Sequence, residues 1–284
     1  MEKIYILLPV HNRCEITRRF VACIKSQTHQ NFHLILLNDG STDGTVDMVR
    51  AEIDKLTVIA GSGNWWWAGA LQQGYDWLKT QNAASSDLVL IINDDTEFDA
   101  DFLARGITLM SGQNRSLLLA PSFNRETGRM IGGGMRVDWR TLQFSQTVCQ
   151  LEINCLSTRG LFVRIDDFLS LGGFYPRLLP HYLSDYEFTI RAHRRGMKLR
   201  VDDSLKVLVD EKMTGFHQFD GLSFLDFCKM YFTRKSDANP FAWSMFIVLA
   251  CPWPWKLSSL MRVWYGTTMK LLNALKVEKT RRRS

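Results

Sequence analysis

Four short apolar runs punctuate the first hundred residues: 4–10 (IYILLPV), 32–38 (FHLILLN), 56–60 (LTVIA) and 88–94 (LVLIIND). Each is too short for a typical helix and lacks polar alternation, which predicts strands buried on both faces. Between the first two, Ile16, Phe20 and Ile24 recur at helical spacing behind Glu15, whose charge suits a first turn. A second helix is expected over 67–79, ahead of the fourth run. Strand and helix alternating at this interval predict an α/β chain with a mostly parallel sheet covered by helices. Every run opens into polar residues, HNR, NDGSTDGT, GSGN and NDD in turn. In such sheets ligands bind outside the carboxyl ends of the strands, so the four clusters are expected to converge on one site.

From about residue 100 to 235 the pattern is less regular and richer in glycine, with IGGGM (131–135), RGLFVR (159–164) and LGGF (171–174). This stretch reads as the same domain continued, with loops that shape a second substrate pocket. The pattern changes again near Asn239. Residues 241–251 are apolar except for Ser244, and Pro252 and Pro254 follow. That run falls short of the roughly 20 residues that cross a bilayer, and the prolines stop a helix from continuing. Beyond them Leu257, Leu260, Met261, Trp264, Leu271, Leu272 and Leu275 form an apolar helical stripe beside Arg262 and Lys270. An amphipathic helix with interfacial tryptophans and a basic end suits a segment lying on a membrane. The competing expectation is a helix packed on its own domain or in a homodimer.

Composition narrows this picture. Apolar residues make up 46% and charged residues 23%, which argues against disorder, collagen-like repeats and a polytopic membrane protein. The net charge is +6, of which Lys276, Lys279, Arg281, Arg282 and Arg283 against Glu278 supply +4. The body is nearly neutral, so a nucleic-acid partner is not expected. Six cysteines are scattered without a CxxC pair, and the first apolar run follows too few residues to read as a secretory signal. Both features favour a reducing cytoplasm over zinc or a disulfide framework.

Three carboxylate clusters could carry chemistry. Asp39 follows a strand and precedes Gly40 and Gly44; it could accept from a nucleobase N–H, or the cluster could simply cap a helix. Asn93, Asp94 and Asp95 close the fourth run, where a carboxylate and substrate phosphates could share Mg2+, or where the acids could again cap a helix. Asp185 and Glu187 lead the stretch TIRAHRRG, and one aspartate within reach of a hydroxyl suffices as a general base. His181 and His217 are candidates for a metal or phosphate, although a lone histidine is more often structural. GSGNWWW (61–67) lacks the third glycine of a dinucleotide loop, because Trp66 stands in its place. Three adjacent tryptophans cannot all face one core, so at least one is expected to line a pocket.

In their order, LLPVHNR, LLNDGSTDGT, GNWWWAGALQQGY, LIINDDTEF and RGLFVR…GGFYPRLLPHYLSDYEFTIRAHRRG resemble the inverting family 2 glycosyltransferases of the GT-A fold, over about residues 3–200. The GNxWW element is similar to a bacterial, rhamnosyltransferase-like branch. The resemblance implies a GT-A, Rossmann-like sheet over 1–235, with a nucleotide-sugar half at 1–100 and an acceptor half at 101–235. A membrane-associating or oligomerising helical extension follows at 236–284. It also implies a nucleotide-diphosphate sugar donor near Pro9, His11, Asn12, Arg13, Asp39, Asn64, Trp66, Asn93 and Asp94. Mg2+ or Mn2+ is expected on Asp95 with His217, and Asp185 is expected as the base beside acceptor-binding Trp67, Gly160, Tyr186 and Glu187. Two positions depart from the family. Asn93 replaces the first carboxylate of the DXD-type motif, and Ser184 replaces the acid before the base. The implied activity is hexosyl or rhamnosyl transfer to a glycan or lipid-linked glycan in O-antigen or capsule synthesis, on the cytoplasmic side of the inner membrane. The alternatives are a non-catalytic nucleotide-sugar scaffold and a sugar nucleotidyltransferase, the latter lacking its glycine-rich phosphate loop after the first strand.

Overall fold

Along strand β1 (Ile4–Val10), Ile4, Ile6 and Leu8 enter one buried cluster while Tyr5 and Leu7 enter another. The strand is thus buried on both faces, which is why its sequence shows no polar alternation. The computed structural model describes residues 2–210, 223–234 and 236–281. β1 is followed by α1 (Cys14–Lys25), β2 (Phe32–Asn38), α2 (Thr45–Glu52), β3 (Leu56–Ala60), α3 (Trp66–Leu78) and β4 (Leu88–Ile91). The expected elements are all present, with one shortened: β4 stops at Ile91 rather than continuing to 94. Its pairing with β1 ends at Leu7↔Ile91, and the chain then turns through Asp94 and Asp95. Pro9 lies past that last pair, where the N–H it lacks is not needed by the ladder.

Helix α1 presents Thr17, Phe20, Val21 and Ile24 inward, whereas Ile16 is only half-buried. A polar residue can head the inward stripe because the Thr17 hydroxyl donates to Asp94 at 3.0 Å.

The chain continues through β5 (Thr96–Glu97), α4 (Phe102–Met110), β6 (Ser116–Leu119), β7 (Ser122–Asn124), β8 (Met130–Gly132), β9 (Met135–Asp138) and β10 (Gln143–Gln146). After these come β11 (Leu161–Arg164), α5 (Ile165–Leu171), α6 (Ser184–Arg194), β12 (Lys198–Val201) and β13 (Val207–Val209). The large sheet has the order β12-β6-β11-β4-β1-β2-β3. It is parallel except that β11 runs antiparallel to both of its neighbours. A smaller sheet, β5-β13-β7-β8, and the β9–β10 hairpin stand beside it.

Three helices complete the described chain: α7 (Phe224–Tyr231), α8 (Pro240–Ala250) and α9 (Lys256–Arg281). α7 and α8 both pack on α9, so the helical layer begins before residue 236. Of α9, Ser259 and Thr267 are buried against the body. The expected apolar stripe mostly faces outward, with Leu257 70% and Met261 58% exposed. No described helix is long and apolar enough to cross a membrane.

Candidate active site

The loops after β1 and β2 are clasped together. The Asn12 amide donates to Ser41 Oγ at 3.0 Å, and Asn12 Oδ1 accepts from the Thr42 amide at 2.8 Å. His11 Nδ1 lies 2.6 Å from the Asp39 carbonyl oxygen. Asp39 itself is buried, and its carboxylate reaches the third loop: Oδ1 accepts from the Gly63 amide at 2.8 Å, Oδ2 from the Trp65 and Trp66 amides at 2.9 and 3.0 Å. Asp39 therefore caps α3 from across the sheet, where the helix dipole favours a negative charge. Three of the roughly four acceptor directions of its carboxylate are used. The local cap of α2 is a different residue, Asp43, whose Oδ1 accepts from the Thr45 amide at 3.1 Å. Close approach makes this junction demanding. Gly40 sits at φ +73°, and a Cβ there would lie 2.7 Å from the Gly63 nitrogen.

The three tryptophans divide as their crowding requires. Trp65 and Trp67 pack on the second core cluster, Trp67 edge-on to Phe174 at 5.7 Å. Trp67 is thus half-buried against the core. Trp66 stands apart, edge-on to His181 at 5.9 Å. Its φ of 58° is strained for a bulky residue, and strain of this kind gathers at ligand sites. Asn64, beside it, is exposed.

Asp94 and Asp95 leave the end of β4 in different directions. Asp94 is turned inward, accepting from Thr17 Oγ1 and pairing with Arg13 Nη1 at 3.2 Å. Burial pushes its carboxyl up to about 6, against the opposing pull of Arg13. Its partners are protein groups, so it braces the loop. Asp95 lies 3.6 Å from Arg13 Nη2 and 3.9 Å from Arg159 Nε. Its Oδ1 is buried without a hydrogen-bond partner. An enclosed carboxylate oxygen in that state fits a hard cation whose other ligands come from substrate phosphates and water. Among the described residues no cluster of three or more His, Cys, Asp or Glu could hold a metal by itself. Asn93 is half-buried, its carbonyl accepting from Thr96 Oγ1 at 2.7 Å. His217 lies outside the described residues.

Asp185 is the second residue of α6, which Ser184 opens after Leu183 at φ +67°. Its Oδ1 accepts from the Tyr186 amide at 2.9 Å. Burial pushes the carboxyl up to about 6, while that amide and the charge of Arg159 hold it from rising further. The residues expected beside it have other work. Glu187 is buried and paired with Arg191 at 2.9 and 3.0 Å, and Arg191 also donates to the Leu171 and Gly173 carbonyls, which fixes α6 to that segment. Gly160 donates its N–H to Ile91 and accepts from Ala120, so it serves the sheet. Tyr186 stacks on Phe144 at 5.4 Å. Glu187 and Gly160 are thus corrected from acceptor contacts to structural groups.

One residue escaped the sequence reading. Arg159, in the RGLFVR segment, faces Asp95 and acts electrostatically on Asp185. Its one signal was a cation directly before a glycine and an apolar strand. The loop 11–13 clasps the Asp39 turn, Arg13 bridges Asp94 and Asp95, and Arg159 pairs with Asp95 while its charge acts on Asp185.

This geometry agrees with comparisons to known proteins. A PGL/p-HBAD biosynthesis glycosyltransferase of Mycobacterium tuberculosis is 25% identical over 260 residues, 90% of this chain and 93% of its own length. An uncharacterized glycosyltransferase of Haemophilus influenzae is 39% identical over 56 residues, 19% of this chain and 22% of that protein. In three dimensions, a mannosyltransferase of Pyrobaculum calidifontis, solved with GDP-Man and Mn2+, superposes with a TM-score of 0.58 at 14% identity, covering 98% of this chain and 79% of that one. That similarity establishes the GT-A fold. Residues 5–167 match the sequence profile of Glycosyl transferase family 2, a span holding Asp39, Asp94, Asp95 and Arg159. The chain belongs to glycosyl transferase family 2 and is a glycosyltransferase of the GT-A fold.

Proposed function

We propose that the chain moves a hexosyl or rhamnosyl group from a nucleotide-diphosphate donor to a hydroxyl of a glycan or lipid-linked glycan, with inversion, in bacterial surface polysaccharide synthesis. The observation that carries this reading is Arg159, which lies 3.9 Å from Asp95 and whose positive charge favours the ionised form of Asp185. On this reading a carboxylate suited to the diphosphate end and a carboxylate suited to proton removal serve one reaction. Asp185 takes the proton of the acceptor hydroxyl, whose oxygen attacks the anomeric carbon opposite the departing diphosphate. A carboxyl group near 6 is largely ionised at neutral pH yet still basic enough to accept that proton. Arg13 and Arg159 hold positive charge beside the leaving group. Asp95, together with donor phosphates, would hold Mg2+ or Mn2+, which neutralises diphosphate charge when bound; the Mn2+ of the Pyrobaculum structure supports this.

The outward apolar face of α9, with Trp253 84% exposed next to it, supports a peripheral seat on the cytoplasmic face of the inner membrane, with a homodimer as the competing occupant. The mycobacterial relatives support a bacterial biosynthetic setting. The decisive variant is Asp185→Asn. Transfer should fall at least about 100-fold while donor binding persists; unchanged turnover would refute the base assignment.

A further inference from the structure

A cleft of about 340 Å³ lies between the β9–β10 turn and the three C-terminal helices, and Asp39, Asp94, Asp95 and Asp185 are not among its lining residues. Its size is at the lower end of small-ligand sites, which run from about 300 to 1,000 Å³. Arg262, Gly266 and Lys270 form its floor along successive turns of α9, and Trp243 of α8 and Tyr231 of α7 form aromatic walls. Among the described residues no Asp or Glu lines it. Lys270 meets the face of Tyr231 at 5.6 Å, and among the described residues neither Lys270 nor Arg262 has an ion-pair partner. A Cβ at Gly266 would enter open space, so the missing side chain leaves room rather than relieving a clash.

The cleft sits at the same end of the molecule as Asp185. Arg194, in the last turn of α6, donates to the Leu249 and Ala250 carbonyls that end α8. At the other end, Tyr186 in the first turn of α6 stacks on Phe144, which meets Trp243 in the first turn of α8 at 5.7 Å. The two helices therefore run side by side in one direction, and Trp243 carries the wall from the residue after the base into the cleft.

We propose that this cleft binds the phosphate group of the glycosyl acceptor, with Arg262 and Lys270 as its cations and the Tyr231 and Trp243 rings beside it. Two cations without an ion-pair partner among the described residues, in a cleft with no described carboxylate, favour an anion, and phosphate accepts from both guanidinium and ammonium. The inference rests on Asp185 being the base and extends it: the acceptor is a phosphorylated amphiphile or saccharide, held so that its hydroxyl meets Asp185.

The test is calorimetric titration of the full chain, without donor, using decyl phosphate below its micelle concentration, decanol and inorganic phosphate. Decyl phosphate should bind and decanol should not. The double variant Arg262→Gln, Lys270→Gln should weaken decyl phosphate at least about tenfold. Gly266→Leu fills the floor without changing charge, and since leucine is the better helix former it should preserve or raise the melting temperature while abolishing binding. Wild-type affinity in both variants overturns the proposal. Inorganic phosphate binding as tightly as decyl phosphate assigns the cleft to a free anion and overturns the acceptor role. Asp185→Asn should still bind decyl phosphate, so a failed base assignment and a failed cleft assignment give different results.

Discussion

The sheet and the final helix put their apolar side chains to opposite ends. In β1 and β2 the apolar side chains fill two cores, and Leu34, Ile35, Leu36 and Leu37 are all inaccessible. In α9 Ser259 and Thr267 are buried, while Leu257, Met261 and Tyr265 face outward. The sheet thus derives its stability from its own chain, whereas the outer face of α9 offers apolar area to something outside it. Periodicity reveals that a face exists, but not which way it points.

Four results would sharpen or break this contrast. Leu36→Ala should cost about 2–5 kcal/mol in urea unfolding, as buried leucines do. Asp39→Asn removes the charge that three amides share; a loss of about 1–3 kcal/mol together with weaker donor binding is expected. Asp185→Asn should act in the opposite direction. Folding raises this carboxyl from its ordinary 3.8 to about 6, so the fold disfavours the ionised form. That penalty is absent below about pH 4 and complete above about pH 6, so the variant should gain about 1–3 kcal/mol over wild type at neutral pH and nothing in acid. A gain independent of pH would break the account of why this group is perturbed. Smallest of all, Leu257→Ser should change stability by less than about 0.5 kcal/mol, yet reduce pelleting with phosphatidylglycerol vesicles. A stability loss like that of Leu36→Ala would mean that α9 is packed through its apolar side after all.

Much of the fold was legible because strand and helix signals in the first hundred residues are local. The site was legible in outline for the same reason, since polar loops follow apolar strands. What escaped depends on contacts distant in sequence. Nothing near Asp39 indicates that its oxygens serve amides 24 to 27 positions away. Glu187 has the residue type of a ligand contact, but Arg191 one turn later claims it. Asp94 and Asp95 are adjacent in the chain, and only the packing of Thr17 and Arg13 decides which turns inward. Arg159 became visible only when β11 was placed beside β4, bringing the residue before Gly160 to the end of the fourth strand.

The pH dependence of kcat, measured for the wild type and for Arg159→Gln, tests most directly whether Asp185 works as a base in a cleft shared with Asp95. The wild-type rate should fall in acid with a midpoint near 6, and losing the guanidinium should move that midpoint upward, because its charge favours the ionised carboxylate. Arg159→Lys should move it less. An acid limb that stays in place when the guanidinium is removed would contradict the account.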